Sequence, residues 1–208
     1  MRHVPSSDTF HADVLSFADA LIPSAEDYDR KRWIYVPDHY SEYRYILGTK
    51  GIYPLICIGI NPSTAAPDRL DNTLKSAQRI ALYNGYDSFV MFNVYAQRAT
   101  LPDDMEKVMN PVLHQENMKA FEWILKQYPS ACSVWAAWGA LIMKRNYLAG
   151  CVRDMISIGN RYGAQWFTAG PRSKAGHPHH PLYLRSDSVL DPFDDLLPYL
   201  DSLIVPGG

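Results

Sequence analysis

Asn61-Pro62-Ser63-Thr64 directly follows the apolar run Leu55-Ile-Cys-Ile-Gly-Ile60. A proline cannot continue a strand ladder, so the chain turns there. The turn presents an amide, two hydroxyls and free backbone N–H groups, a set that can hold a water, a phosphate or a sugar. The plainer alternative is a capped turn in which Asn61 satisfies neighbouring backbone. Asn93 closes a second apolar run, Phe89-Val-Met-Phe92, and is followed by Tyr95 and by Arg98-Ala-Thr100. An amide in such a run must be hydrogen-bonded or it costs about 1–3 kcal/mol. Its donors and acceptor suit the polar edge of a nucleobase or another amide; the plainer alternative is an asparagine that bonds adjacent loop backbone. Trp138-Gly139 ends a third run, Val134-Trp-Ala-Ala137. Gly139 allows a left-handed turn or a close approach, and packing is the plainer role for both residues.

A fourth run, Gln165-Trp-Phe-Thr168, leads into a loop containing Arg172, Lys174 and the motif His177-Pro178-His179-His180-Pro181-Leu182-Tyr183. Its local basic character suits phosphates. A metal site is not expected. No carboxylate or thiolate stands at ligand spacing, and the adjacent His179 and His180 are poorly placed for one ion. His177 or His180 acting as an acid or charge stabiliser fits better. Tyr95 and Tyr183 are candidate stacking platforms for an aromatic ligand. The chain contains no Walker loop, no Gly-x-Ser-x-Gly, no Gly-x-Gly-x-x-Gly and no His-Glu-x-x-His. No cofactor is expected.

Elements must bring these positions together. Apolar stripes at helical spacing alternate with the short apolar runs, which predicts helices packed against a mainly parallel sheet in three α/β/α layers. In such a sheet the four strand ends lie along one edge, where these folds bind ligands. Phe10, Val14, Phe17, Ala18 and Leu21 predict a helix over 9–22, and residues 1–42 read as an extension of a single domain over 43–208. Tyr43–Leu47 and Leu55–Ile60 are expected to form a hairpin through Gly48-Thr-Lys-Gly51. Asp71 or Asn72 should cap a helix with Leu74, Ala77, Ala81 and Leu82 inward and Gly85 at its end. Further helices are expected over 113–128, over 140–159 with a break near Gly150, and over 191–203 with a kink at Pro198.

Composition bounds the function. The 208 residues are 47% hydrophobic and 20% charged, with formal net charge −2. That suits a globular domain with a full core and no global steering to nucleic acid. The three cysteines, Cys57, Cys132 and Cys151, lack metal-like spacing and read as buried thiols in a reducing compartment. The N-terminus carries no apolar leader and no apolar run approaches about 20 residues, so a cytoplasmic protein with no membrane partner is expected. Oligomeric state is not readable.

Gly59-Ile-Asn-Pro-Ser-Thr-Ala65, Asp71-Asn-Thr73, Asn93 with Arg98-Ala-Thr100, Ala137-Trp-Gly139 and Gly176-His-Pro-His-His-Pro-Leu-Tyr183 resemble, in order and spacing, the domain of unknown function 1643 family over about residues 43–185. More distantly, Gly59-Ile-Asn-Pro62, Phe92-Asn93, Ala137-Trp-Gly139 and His177-Pro178 resemble the motif order of the uracil-DNA glycosylase superfamily. That resemblance implies a glycosylase-like fold and cleavage of a nucleobase N-glycosidic bond. Asn61 would position the attacking water, Asn93 would read the base edge, and His177 would stabilise the departing base. Pro62, Ser63, Thr64, Arg98, Trp138 and Tyr183 would complete the binding surface. Where that superfamily has His-Pro-Ser before a leucine wedge, this chain has His-Pro-His-His-Pro, so insertion into a double helix is not implied and His180 is an alternative to His177. Two other classes fit the same residues. One is a hydrolase or transferase acting on a free nucleotide. The other is a non-catalytic nucleic-acid or nucleotide-binding module.

Overall fold

The computed structural model describes residues 2–5, 14–128 and 132–204. Its centre is a seven-stranded sheet built from β1 (Trp33–Val36), β2 (Ile46–Thr49), β3 (Pro54–Gly59), β4 (Ser88–Asn93), β5 (Ser133–Ala136), β6 (Gln165–Ala169) and β7 (Leu190–Pro192). The spatial order is β1-β2-β4-β3-β5-β6-β7. The four inner strands, β4, β3, β5 and β6, run parallel. β1 and β2 join one side antiparallel, and β7 joins the other side antiparallel. The sheet is therefore mixed, which corrects the expectation of a mainly parallel one. The reason is local. β1 turns back into β2 through residues 37–45, and β6 returns to β7 through the loop 170–189, neither with an α-helix to carry the chain across the sheet, whereas a parallel strand needs a crossover.

The expected hairpin of β2 with β3 does not form. β4 lies between them, and β2 pairs instead with β1, in a register that sets Val36 opposite Ile46. Gly48 is not a turn residue but a β2 residue facing Val90 of β4. A Cβ there would stand 2.2 Å from the Phe89 carbonyl oxygen, so only glycine lets the two strands approach.

The helices are α1 (Phe17–Ala20), α2 (Asn72–Tyr83), α3 (Pro111–Gln127), α4 (Leu148–Arg161) and α5 (Leu196–Leu203). Residues 9–13 of the helix expected over 9–22 lie outside the described residues. Asp71 caps α2 through its carboxylate, which accepts from the Leu74 N–H at 2.9 Å, as its residue type predicts. Leu74, Ala77 and Ala81 of α2 face inward, but Leu82 is exposed. The helical stretch after β5 breaks at residues 145–147, between a 3-10 turn over Gly139–Lys144 and α4, and not at Gly150.

Alternation along the strands divides the core. Val90, Phe92, Ile56 and Ile58 join a cluster with residues of α1, α3, α4 and α5. Phe89, Met91, Leu55 and Cys57 join another with α2. Successive strand side chains point to opposite faces, so the two clusters lie on opposite sides of the strands.

Candidate functional site

The parallel register sets Gly59 of β3 beside Asn93 of β4, so the Asn61 turn and Asn93 leave the sheet at the same edge. A cavity of about 400 Å³ opens there. Its walls come from the β3 and β4 ends, the first turn of α2, the loop 99–102 and the loop 180–183, and include Asn61, Ser63, Asn93, His180 and Tyr183. The hydroxyl of Ser76 on α2 donates to the Pro181 carbonyl at 2.7 Å, which holds the histidine loop over the helix.

Asn93 forms the floor. It is 1% exposed, and its Nδ2 has no hydrogen-bond partner. Its backbone carbonyl accepts from Asn117 Nδ2 at 3.0 Å, so α3 braces the strand end. A Cβ on Gly59 would crowd the Asn93 amide oxygen at 3.3 Å, so glycine leaves room for the side chain. Asn61 donates through Nδ2 to the carbonyls of Ala99 at 2.8 Å and Pro62 at 3.1 Å. Both bonds fix the amide plane and leave the Asn61 carbonyl oxygen as its acceptor. Ser63 donates to the Thr100 hydroxyl at 3.2 Å, and the His3 N–H donates to that same oxygen at 2.7 Å.

His180 lines the wall with a defined tautomer. Its Nδ1 accepts from the Leu182 N–H at 3.3 Å, so the neutral ring carries its proton on Nε2. Burial holds this ring below the ordinary histidine value, and Asp71 pulls weakly the other way. His177 lies elsewhere on the same edge. It lines an adjoining apolar cavity of about 520 Å³ that shares Leu141, His180 and Tyr183 with the first. Its Nδ1 pairs with the Tyr199 hydroxyl at 3.0 Å, and that oxygen also accepts from Trp138 Nε1 at 3.2 Å.

The remaining sequence-predicted residues divide. Tyr183, largely exposed, borders both cavities. Trp138 and Tyr95 are fully buried and line neither; the Tyr95 hydroxyl donates to Glu106 and accepts from the Asn110 N–H. Pro62 and Thr64 shape the turn without lining the cavity. Arg98 stands behind the wall, 0% exposed, donating to the carbonyls of Ser63 and Ala65 and to the Tyr35 hydroxyl.

Sequence reasoning missed Arg44. It lines the cavity at 1% exposure and donates to the Ala65 carbonyl at 3.2 Å. Burial, with Arg98 alongside, pushes its guanidinium down to about 9. The available signal was a cation inside the aromatic and apolar run Tyr43-Arg-Tyr-Ile-Leu47. Asn117 was missed as well. It interrupts the buried face of α3 between Leu113 and Phe121 at helical spacing. Among the described residues, no group of three or more His, Cys, Asp or Glu gathers to hold a metal ion, and no helix is long and apolar enough to cross a membrane.

The fold and site therefore define an α/β protein with a polar cavity at the carboxyl ends of its inner strands. The chain belongs to the family described as protein of unknown function (DUF1643), whose model matches residues 44–182. No curated protein and no solved structure matches the chain.

Proposed function

We propose that this protein hydrolyses the N-glycosidic bond of a nucleobase-containing ligand, on a three-layer fold of the uracil-DNA glycosylase type. One observation carries the reading: a buried asparagine, Asn93, sits with an unpaired Nδ2 at the floor of a cavity that also holds Asn61 and His180. An amide left so costs about 1–3 kcal/mol, which a base edge offering an acceptor recovers. Glycosidic cleavage develops positive charge on the sugar and negative charge on the base. His180 offers its Nε2–H to that developing anion, a preorganised donor. The Asn61 carbonyl oxygen accepts from a water and orients its lone pair toward the sugar carbon. The new carbon–oxygen bond forms as the carbon–nitrogen bond breaks, and the water's second proton passes to solvent. Tyr183 offers a face on which the base stacks.

A second reading, a non-catalytic nucleotide-binding module, draws support from Asp71. This acid in the cavity wall gives one carboxylate oxygen to the α2 cap, a structural duty that calls for no chemistry. Incubation with a panel of modified single-stranded and duplex oligonucleotides and free nucleosides separates the two. The hydrolase reading expects strand breakage after alkali or release of free base. Tight binding with every bond intact promotes the binding module.

A further inference from the structure

The buried arginines demand a separate account. Arg44 and Arg98 both donate to the single carbonyl of Ala65, and the Nε of each has no partner. Neither makes an ion pair among the described residues. Removing a cation from water without a counter-charge costs several kcal/mol. The carboxylate nearest in effect is Asp71, which lies in the cavity wall but accepts from the Leu74 N–H. Two guanidiniums against one engaged carboxylate leave the wall with excess positive charge.

The surroundings of Arg44 match an anion. Asn72 and Thr73, the first residues of the twelve-residue α2, line the cavity. Their N–H groups have no partner within the helix, and the helix dipole adds positive potential there. On the facing wall, the Thr100 hydroxyl accepts from Ser63 and from the His3 N–H, so its own proton is left to donate. Arg44 supplies the fixed charge, and its planar fork matches a tetrahedral oxyanion.

We infer that Arg44, the first turn of α2 and Thr100 form a subsite for a phosphate group carried by the ligand. The inference deepens the proposed function, because it makes the nucleobase-containing ligand a nucleotide whose base lies toward Asn93 and whose phosphate lies toward Arg44.

Calorimetric titration of the full chain with inorganic phosphate tests it. Saturable binding is expected. It should weaken about tenfold or more in Arg44→Met, as loss of a charge-assisted hydrogen bond implies. Asp71→Asn, which keeps the helix cap and removes the opposing charge, should bind phosphate more tightly; this second variant decides the matter if Arg44→Met fails to fold. Competition then identifies the source. Displacement by a nucleoside 5′-monophosphate alone assigns a free nucleotide, and displacement also by a dinucleoside phosphodiester assigns a nucleic acid strand. No saturable phosphate binding by the wild type, unchanged binding in Asp71→Asn, or displacement by neither competitor overturns the inference. Phosphate binding without any base release sinks the hydrolase reading alone; base release without phosphate binding sinks this subsite alone.

Discussion

At the scale of the residue, three polar side chains carry different duties. Asn93→Ala removes the group facing the base edge, so discrimination between bases should fall more than overall affinity; competition between related bases measures it. Asn61→Ala removes a water-orienting acceptor, so the chemical step should slow while ligand binding largely survives in single-turnover kinetics. His180→Gln should slow release by about 10²–10³-fold, as loss of a donor to a developing anion does elsewhere. His180 also has a sign in pH. Burial depresses both His180 and His177, so the folded protein favours their neutral forms. Their contribution is present above about 6.5 and is lost as pH falls through the depressed folded values. Denaturant midpoints should therefore drop on acidification below about 6.5, less steeply in His180→Gln. Asn61 and Asn93 were legible because each ends or follows an apolar run, and His180 because it stands in the histidine-rich loop beyond the fourth run. Arg44 was not read, because a cation before β2 looks like an ordinary flank until the fold shuts it in.

At the scale of the element, strand ends were legible and strand partners were not. Apolar runs with a polar terminus mark where β3, β4, β5 and β6 stop, whichever strands they join. Pairing depends on distant chain: the Gly48-Thr-Lys-Gly51 stretch reads as a hairpin turn, yet β4 inserts between β2 and β3. Gly48 and Gly150 show the difference between a glycine that the packing needs and one that it does not. Gly48→Ala drives a methyl into the Phe89 backbone and should destabilise by about 1–3 kcal/mol or more. Gly150 lies within α4 with nothing within 4 Å of an added Cβ, so Gly150→Ala should stabilise by about 0.5–1 kcal/mol. Thermal or denaturant unfolding of the two variants side by side checks both signs.

At the scale of the whole molecule, a mixed sheet with parallel inner strands gathers residues more than a hundred positions apart, Asn61 and His180 among them, around one cavity. A separate cavity, between α4, β6, β7 and α5, includes Asn160 and Gln165 and none of the strand-end signatures. The two give contrasting readouts of where a nucleobase binds. In protein labelled with nitrogen-15, the side-chain amide resonances of Asn93 and Asn160 can be followed together as free bases from the hydrolysis panel are titrated in. The account predicts that a bound base shifts the Asn93 amide and leaves Asn160 still. A base that binds while moving only Asn160, or a complete panel that leaves Asn93 unmoved, would contradict it.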